Sequence, residues 1–415
     1  MKKNYTIVGL IFLIFFVISF ITNILNSILP NIKDSFDLSL GLAGFLPFSF
    51  FVAYGIMSIP AGVLIEKYGE KSVIIGSFFI SLFGAFLFAS FPSFQIALLS
   101  LFLIGIGMAM LQVAINPLLR TTGGESNFAF FSVMAQLVFG AASAISPKVY
   151  SYLVENLNDY QGDGGFMLDT LSKLVPGDMS WVSLYWIFAV IMLIIIIIIS
   201  LIKFGKVELS QDEKTGSFQS YLELIKNPYV ILFFLGIFTY VGTEQGVGVW
   251  ISEFLKQYHN YNPEVEGAQT VSNFWLFLTI GCILGLILLK LFDSRKILVA
   301  FTLAAMAALA VALFGTGEMA LIAFPIVGFC TSVMYSIIFS LALNSVPKNH
   351  GSFSGILCTG IVGGAVVPFI IGALGDVIGL RFAMTFMFLT LGFILSIGFW
   401  SKPLISNSTI NFKKD

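Results

Sequence analysis

Apolar runs of bilayer length recur along the whole chain. They lie at about 7–30, 41–65, 72–91, 94–118, 127–154, 183–202, 228–257, 268–290, 296–314, 317–343, 350–377 and 380–401. A hydrocarbon core of roughly 30 Å needs about twenty apolar residues of helix to cross it. Each run meets that length. Apolar positions within the runs follow the helical period or cover every side, with no ten-residue alternation of a barrel strand. Helices satisfy their backbone polar groups internally, as lipid requires. The pattern predicts an all-α membrane protein with twelve transmembrane helices.

Composition agrees. Of 415 residues, 58% are hydrophobic and 10% charged, whereas a soluble domain carries about 25% charged residues. Most of the surface must therefore face lipid. The formal net charge of -1 gives no basic field for nucleic acid. No Walker loop appears, so no nucleotide or other cofactor is expected. Cys282, Cys330 and Cys358 all sit in apolar runs, as small packing residues rather than metal ligands. The first run follows Met-Lys-Lys and continues to Pro30 without a small-x-small cleavage site. It is expected to remain as the first helix.

Charge sets an expected orientation. With the N-terminus cytoplasmic, sixteen of the 21 Lys and Arg residues fall on the cytoplasmic side and five outside. The positive-inside rule then places both termini in the cytoplasm, in a cell inner (plasma) membrane. A polar linker, 203–227, separates a six-helix bundle at 1–202 from another at 228–401, followed by a tail at 402–415. An offset of about 221 residues carries Gly107 to Gly328, Pro147 to Pro368 and Asn23 to Glu244. Parallel repeats of this kind predict a transporter with its site between the halves. Trp181, Tyr185 and Trp186 are assigned to the interfacial aromatic belt.

After the second run stands Gly62-Val-Leu-Ile-Glu-Lys-Tyr-Gly-Glu-Lys71. It resembles the major facilitator signature Gly-x-Leu-x-Asp-Arg-x-Gly-x-Lys. The resemblance implies that Gly62, Glu66, Lys67, Gly69 and Lys71 form an inner-gate charge latch. A degenerate second-half copy, Gly285 to Lys296, keeps Asp293, Arg295 and Lys296. Asn-Ser-Ile-Leu-Pro30, Gln112-Val-Ala-Ile-Asn-Pro117, Tyr240-Val-Gly-Thr-Glu244 and Ser354-Gly-Ile-Leu-Cys-Thr-Gly-Ile-Val-Gly-Gly-Ala-Val-Val-Pro368 sharpen the likeness. Together they resemble the fucose–proton symporter branch, which also holds glucose/galactose and sodium-dependent glucose transporters. The chain departs from that branch where proton-coupling carboxylates stand. Ser27 lies where helix one carries an Asp, Gln112 where helix four carries a Glu, and a residue near Leu137 replaces a helix-five Asn.

Glu244 is the one acid placed in the hydrocarbon zone. It lies about 16 residues past Pro228, roughly 24 Å along a helix. Buried charge at that depth is costly and is usually retained for function. It could bind a cation, carry a proton or accept bonds from a polar ligand. Glu244, Asn23 and Thr243 are the expected cation-coupling set. Asn26 and helix-seven carbonyls, loosened by Gly242, Gly246 and Gly248, could add oxygens for Na⁺. There is no firm metal site otherwise. Candidate substrate-binding residues are Asn26, Gln112, Asn116, Gln136, Gln245, Trp250, Asn273 and Tyr335, amides and aromatics suited to sugar hydroxyls and ring faces. The expected function is cation-coupled uptake of a monosaccharide or similar small polar solute by alternating access, with Na⁺ preferred over H⁺. A proton symporter, a uniporter, an exporter and a transporter-like nutrient receptor are the alternatives. An enzyme is not expected, and the partners are the solute, the cation and the bilayer, with the chain a monomer.

Overall fold

The computed structural model describes residues 5–123, 128–158, 160–162, 165–202, 218–346 and 350–404. Twelve spans long and apolar enough to cross a membrane account for most of them. They are α1 Tyr5–Ser35, α2 Leu40–Ile65, α3 Glu70–Ser90, α4 Phe94–Ile115, α5 Met134–Asn158, α6 Ser180–Leu201, α7 Pro228–His259, α8 Pro263–Leu291, α9 Ser294–Phe314, α10 Gly317–Leu343, α11 Ser352–Ile378 and α12 Leu380–Trp400. No strand occurs among the described residues. Each predicted run is present. Most of the proposed linker, 203–217, lies outside the described residues.

Local chemistry sets the helix ends. Ser39, Asn227, Asp293 and Thr316 each accept a backbone N–H from the first turn of the following helix, the ordinary remedy for unpaired N-terminal amides. Asn260 closes α7 in the left-handed region (φ 55°), where Asn is tolerated. Three spans are broken well inside their length. α1 turns at Ile24, whose carbonyl accepts from both Ser27 N and Ile28 N (2.9 and 3.2 Å). Six residues on, Pro30 has no N–H to give. α10 is interrupted between Thr331 and Met334. α11 tightens to a 3₁₀ turn at Gly360–Val362. By contrast α7 is one uninterrupted helix, so the expected loosening around its glycines does not occur. Those glycines serve close packing instead. A methyl at Gly246 would press on Ile371, Val367 and Met387 at 3.2–3.3 Å.

The two halves repeat, in a slightly different register from the one expected. Gly105 of α4 packs on the Phe50 carbonyl of α2, and Gly328 of α10 on the Phe274 carbonyl of α8. Gly105 is thus the counterpart of Gly328, whereas Gly107 packs on Ser77 and Ser81 of α3. The belt assignment needs a similar correction. Trp181 and Tyr185 are each 1% exposed. They form an internal aromatic cluster with Phe88 (5.6 and 4.5 Å between ring centres), and Trp181 Nε1 donates to Ser35 Oγ (2.9 Å). Trp186 is half-buried against Phe86.

The halves meet mainly at one end of the bundle. There Asn31 Nδ2 donates to Glu264 (2.8 Å), Lys33 pairs with Glu253 (3.1 Å), and Lys256 pairs with Asp34. Leu40 and Gly41 donate their amides to Asp376 (both 2.8 Å). Contact between α2 and α11 continues inward through Gly44 against Phe369 to Gly55 against Val362. On the opposite side, α5 and α8 meet through Ser272 Oγ to Ala144 O (2.6 Å) and through Gly140 against Thr279. At the other end, Lys71 bonds to the Ser200 and Ile202 carbonyls (2.9 and 2.7 Å) within its own half. Asp293 likewise pairs with Arg295 (3.1 Å) inside its half. Among the described residues, the charged links that cross between halves thus gather at the Asp34 end.

A candidate solute and coupling site beside Glu244

α7 carries Glu244 between the α11 turn, where Gly360 packs on Ile237, and the α1 turn, past which Asn26 approaches Gly248. Its carboxylate is partly buried and accepts a hydrogen bond from Tyr240 Oη, one turn back (2.7 Å). The Tyr240 ring leans on Tyr335 of α10 (5.7 Å), which stacks on Phe339 (5.7 Å). An acid on an aromatic wall therefore faces the middle of the second half. Tyr240 was not anticipated as a site residue. Its spacing, four residues before Glu244 on one helical face, was the available signal.

The expected coupling trio takes three separate directions. Thr243 Oγ1 meets Thr390 Oγ1 of α12 (2.6 Å) and donates to Thr239 O (2.8 Å). Asn23 Nδ2 donates to Ser143 Oγ of α5 (2.8 Å), in a cluster where Ser19 also bonds Ser143 (2.6 Å). Asn26 comes closer to α7: a methyl on Gly248 would lie 2.6 Å from Asn26 Nδ2. Asn26 Nδ2, Gln245 Oε1, Asn23 Oδ1 and Trp275 Nε1 are all buried without a protein partner. Unpartnered buried polar atoms are costly; of these four, Asn26 and Trp275 come together beside Gly248 of α7.

The remaining candidates are distributed unevenly. Gln245 packs beside Gly364 of α11, next to Phe51 of α2. Trp250 is fully buried, and its Nε1 donates to Pro368 O (3.2 Å), which ties α7 to α11. Asn273 accepts from Gln269 (2.9 Å) on its own helix. Gln136 is exposed, and Gln112 is half-buried on α4. The Asn116 side chain lies outside the described set. Among the described residues no group of three or more His, Cys, Asp or Glu could hold a metal ion.

Comparison with known proteins places this architecture. The Major Facilitator Superfamily model matches residues 11–361. The chain belongs to the Major Facilitator Superfamily. It is 29% identical over 411 residues to a glucose/galactose transporter of Brucella abortus, covering 96% of this chain and 94% of the relative. It is 28% identical over 396 residues to the L-fucose-proton symporter of Escherichia coli, covering 91% and 89%. The crystal structure of that symporter in its outward conformation matches at a TM-score of 0.68 with 26% identity, over 95% of this chain and 98% of the other. A bacterial homolog of the human lysosomal transporter Spinster, inward-facing, shares the fold at a TM-score of 0.79 and 15% identity, over 97% and 98%. The chain is a multi-pass membrane protein of a transporter family, not an enzyme.

Within this Major Facilitator fold, the signature residues occupy the α2–α3 turn. Gly69 has φ +78°, a backbone that favours glycine. Lys71 caps the carbonyl end of α6 through its two bonds, a place where a cation also meets the negative end of the helix dipole. Lys67 lies over the Tyr68 ring at 5.0 Å. Gly62 is buried, and the Glu66 side chain lies outside the described set. In the second-half copy, Arg295 beside Asp293 holds that carboxyl below the usual carboxylate range.

Proposed function

We propose that this chain is a proton-coupled symporter that moves a monosaccharide or similar polyol by alternating access, with Glu244 carrying the proton. The observation that carries the reading is the Glu244 carboxylate, bonded to Tyr240 Oη on an aromatic wall at the middle of the bundle. A proton carrier needs only a carboxylate and water access. A sodium site needs several oxygens around one point, as hard cations do. Thr243 Oγ1, one oxygen expected for that role, is engaged with Thr390 Oγ1, and the Asn23 side chain turns to Ser143 of α5 through its Nδ2. Protons are therefore favoured over Na⁺, reversing the preference drawn from the sequence. Sodium stays as the second reading because Asn23 Oδ1 and Gln245 Oε1 are buried oxygens without a donor.

The substrate class rests on the glucose/galactose and fucose transporters among the relatives and on the chemistry of the site. Tyr240, Tyr335 and Phe339 offer ring faces to the C–H face of a sugar. Asn26 and Gln245 offer an amide donor and acceptor for hydroxyls. With the Lys71 end cytoplasmic, as the Lys and Arg distribution favours, the Asp34 end with its links between halves is the outer one and the conformation is inward-facing.

The test is uptake of labelled glucose, galactose and fucose into proteoliposomes. An inward proton gradient without Na⁺ should drive accumulation of at least one of them. Accumulation that appears only with a Na⁺ gradient at equal pH would overturn the proton reading, and no accumulation of any sugar would overturn the substrate class.

A further inference from the structure

The signature at the α2–α3 turn has a second copy at the opposite end of the molecule. Gly372-Ala-Leu-Gly-Asp-Val-Ile-Gly-Leu-Arg381 repeats the spacing of Gly62-Val-Leu-Ile-Glu-Lys-Tyr-Gly-Glu-Lys71. Glycine, leucine, acid, glycine and base fall at matching places. The backbone matches too. Gly69 (φ 78°, ψ 158°) ends α2 and starts α3, and Gly379 (φ 81°, ψ 148°) ends α11 and starts α12. Gly69 N donates to Ile65 O (2.8 Å) and Gly69 O accepts from Val73 N (3.2 Å). The Gly379 N to Gly375 O and Ala383 N to Gly379 O bonds (both 3.0 Å) are their equivalents. The bases correspond in role as well. Lys71 seats on the end of α6, and Arg381 seats over Tyr258 (4.5 Å), with its own N–H bonded to Tyr258 Oη (3.0 Å), at the end of α7.

The acid of this second copy crosses between the halves. Asp376 Oδ1 accepts from Leu40 N and Oδ2 from Gly41 N, each at 2.8 Å. These are the first amides of α2, where the helix dipole also favours a carboxylate. Two charge-assisted bonds to a helix start are geometry-specific and break completely when the ends separate. Gly41 makes the approach fit, since a methyl there would lie 2.7 Å from Asp376 Oδ2.

We propose that Gly372–Arg381 is a second gate motif, with Asp376 as the latch that holds the Asp34 end closed. It works in opposition to the Gly62–Lys71 motif at the other end. Glu66 stands at the place in Gly62–Lys71 that Asp376 holds in Gly372–Arg381. Engagement of one requires the other to be open. The inference concerns gating alone and holds for any solute or coupling ion.

The experiment measures the gate directly. Cys282, Cys330 and Cys358 are replaced by Ser, spin labels are placed at Leu42 and Val377, and pulsed distance measurements give the closed and open populations in nanodiscs. Asp376→Asn, which keeps the shape and removes the charge, should lower the closed-to-open ratio roughly tenfold. Gly41→Ala, which crowds the carboxylate, should lower it as well, whereas Glu66→Gln should raise it. Monodisperse elution and an unchanged melting curve establish that each variant is folded. A ratio within twofold of the parent in both Asp376→Asn and Gly41→Ala would overturn the proposal, as would a fall with Glu66→Gln.

Discussion

Replacing Glu244 with Gln should separate movement of solute from its accumulation. The substitution is nearly isosteric, and the Gln oxygen can still accept the 2.7 Å bond from Tyr240 Oη. The fold should therefore tolerate it, with a stability change within about 1 kcal/mol. What Gln cannot do is release a proton. One proton moving with a neutral solute across about 100 mV contributes about 2.3 kcal/mol. That supports roughly fifty-fold accumulation, at about 1.4 kcal/mol per tenfold. A pH difference of one unit adds roughly another tenfold. In Glu244→Gln both factors should vanish, so the plateau inside proteoliposomes should equal the outside concentration. Exchange of internal for external sugar should continue, because the aromatic wall of Tyr240, Tyr335 and Phe339 is untouched. The assay is the plateau of labelled sugar with an imposed potential and pH gradient, paired with counterflow. Glu244→Gln protein that still concentrates sugar several-fold would refute the reasoning. The proton would then have another carrier.

Two further substitutions probe the site and its supports. Gly248→Ala would put a methyl 2.6 Å from Asn26 Nδ2 and 3.4 Å from its Cγ; overpacking of this kind costs about 1–3 kcal/mol, and sugar affinity should fall measurably by calorimetry if Asn26 contacts solute, whereas unchanged affinity would remove Asn26 from the site. Asp293→Ala should lower stability by about 1 kcal/mol through loss of the α9 cap. The pairing holds Asp293 below its ordinary value, so its contribution is present above about pH 4 and is lost as pH falls through the depressed value. Thermal melts of wild type and variant should therefore differ at neutral pH and converge in acid; a gap that widens in acid would contradict this.

The twelve spans were legible because length and apolarity alone decide whether a segment crosses a bilayer. Glu244 stands out for the complementary reason, as a carboxylate inside an apolar run. The register of the repeat was less legible. Gly105 and Gly107 are both glycines on α4 facing close neighbours, and only the carbonyl each one meets, Phe50 or that of Ser77, tells them apart. Trp181 and Tyr185 misled because aromatic residues near the start of an apolar run are usual interfacial anchors. Here Phe36 and Phe88 close around them, contacts from distant parts of the chain that no local pattern reveals.

Direction around each helix axis limited the rest of the site. Successive residues on an α-helix are turned by about 100°, so Thr243 and Glu244 cannot both face one ligand from an unbroken helix. Grouping them required α7 to loosen, and it does not. Trp250, six residues beyond Glu244, is turned by about 240° and looks to the α11 backbone. Tyr240, four residues before, is offset by only about 40° and meets the carboxylate. The same rule bears on coupling. On a continuous α7, one strip carries Tyr240 and Glu244, with Gly248 one turn further on where Asn26 approaches. That strip offers one carboxylate, one hydroxyl and one amide, a sparse shell for a metal ion but a sufficient one for a proton and a sugar hydroxyl side by side. Proton and solute would then share one short stretch of α7, and occupancy of either would alter the hydrogen bonding available to the other.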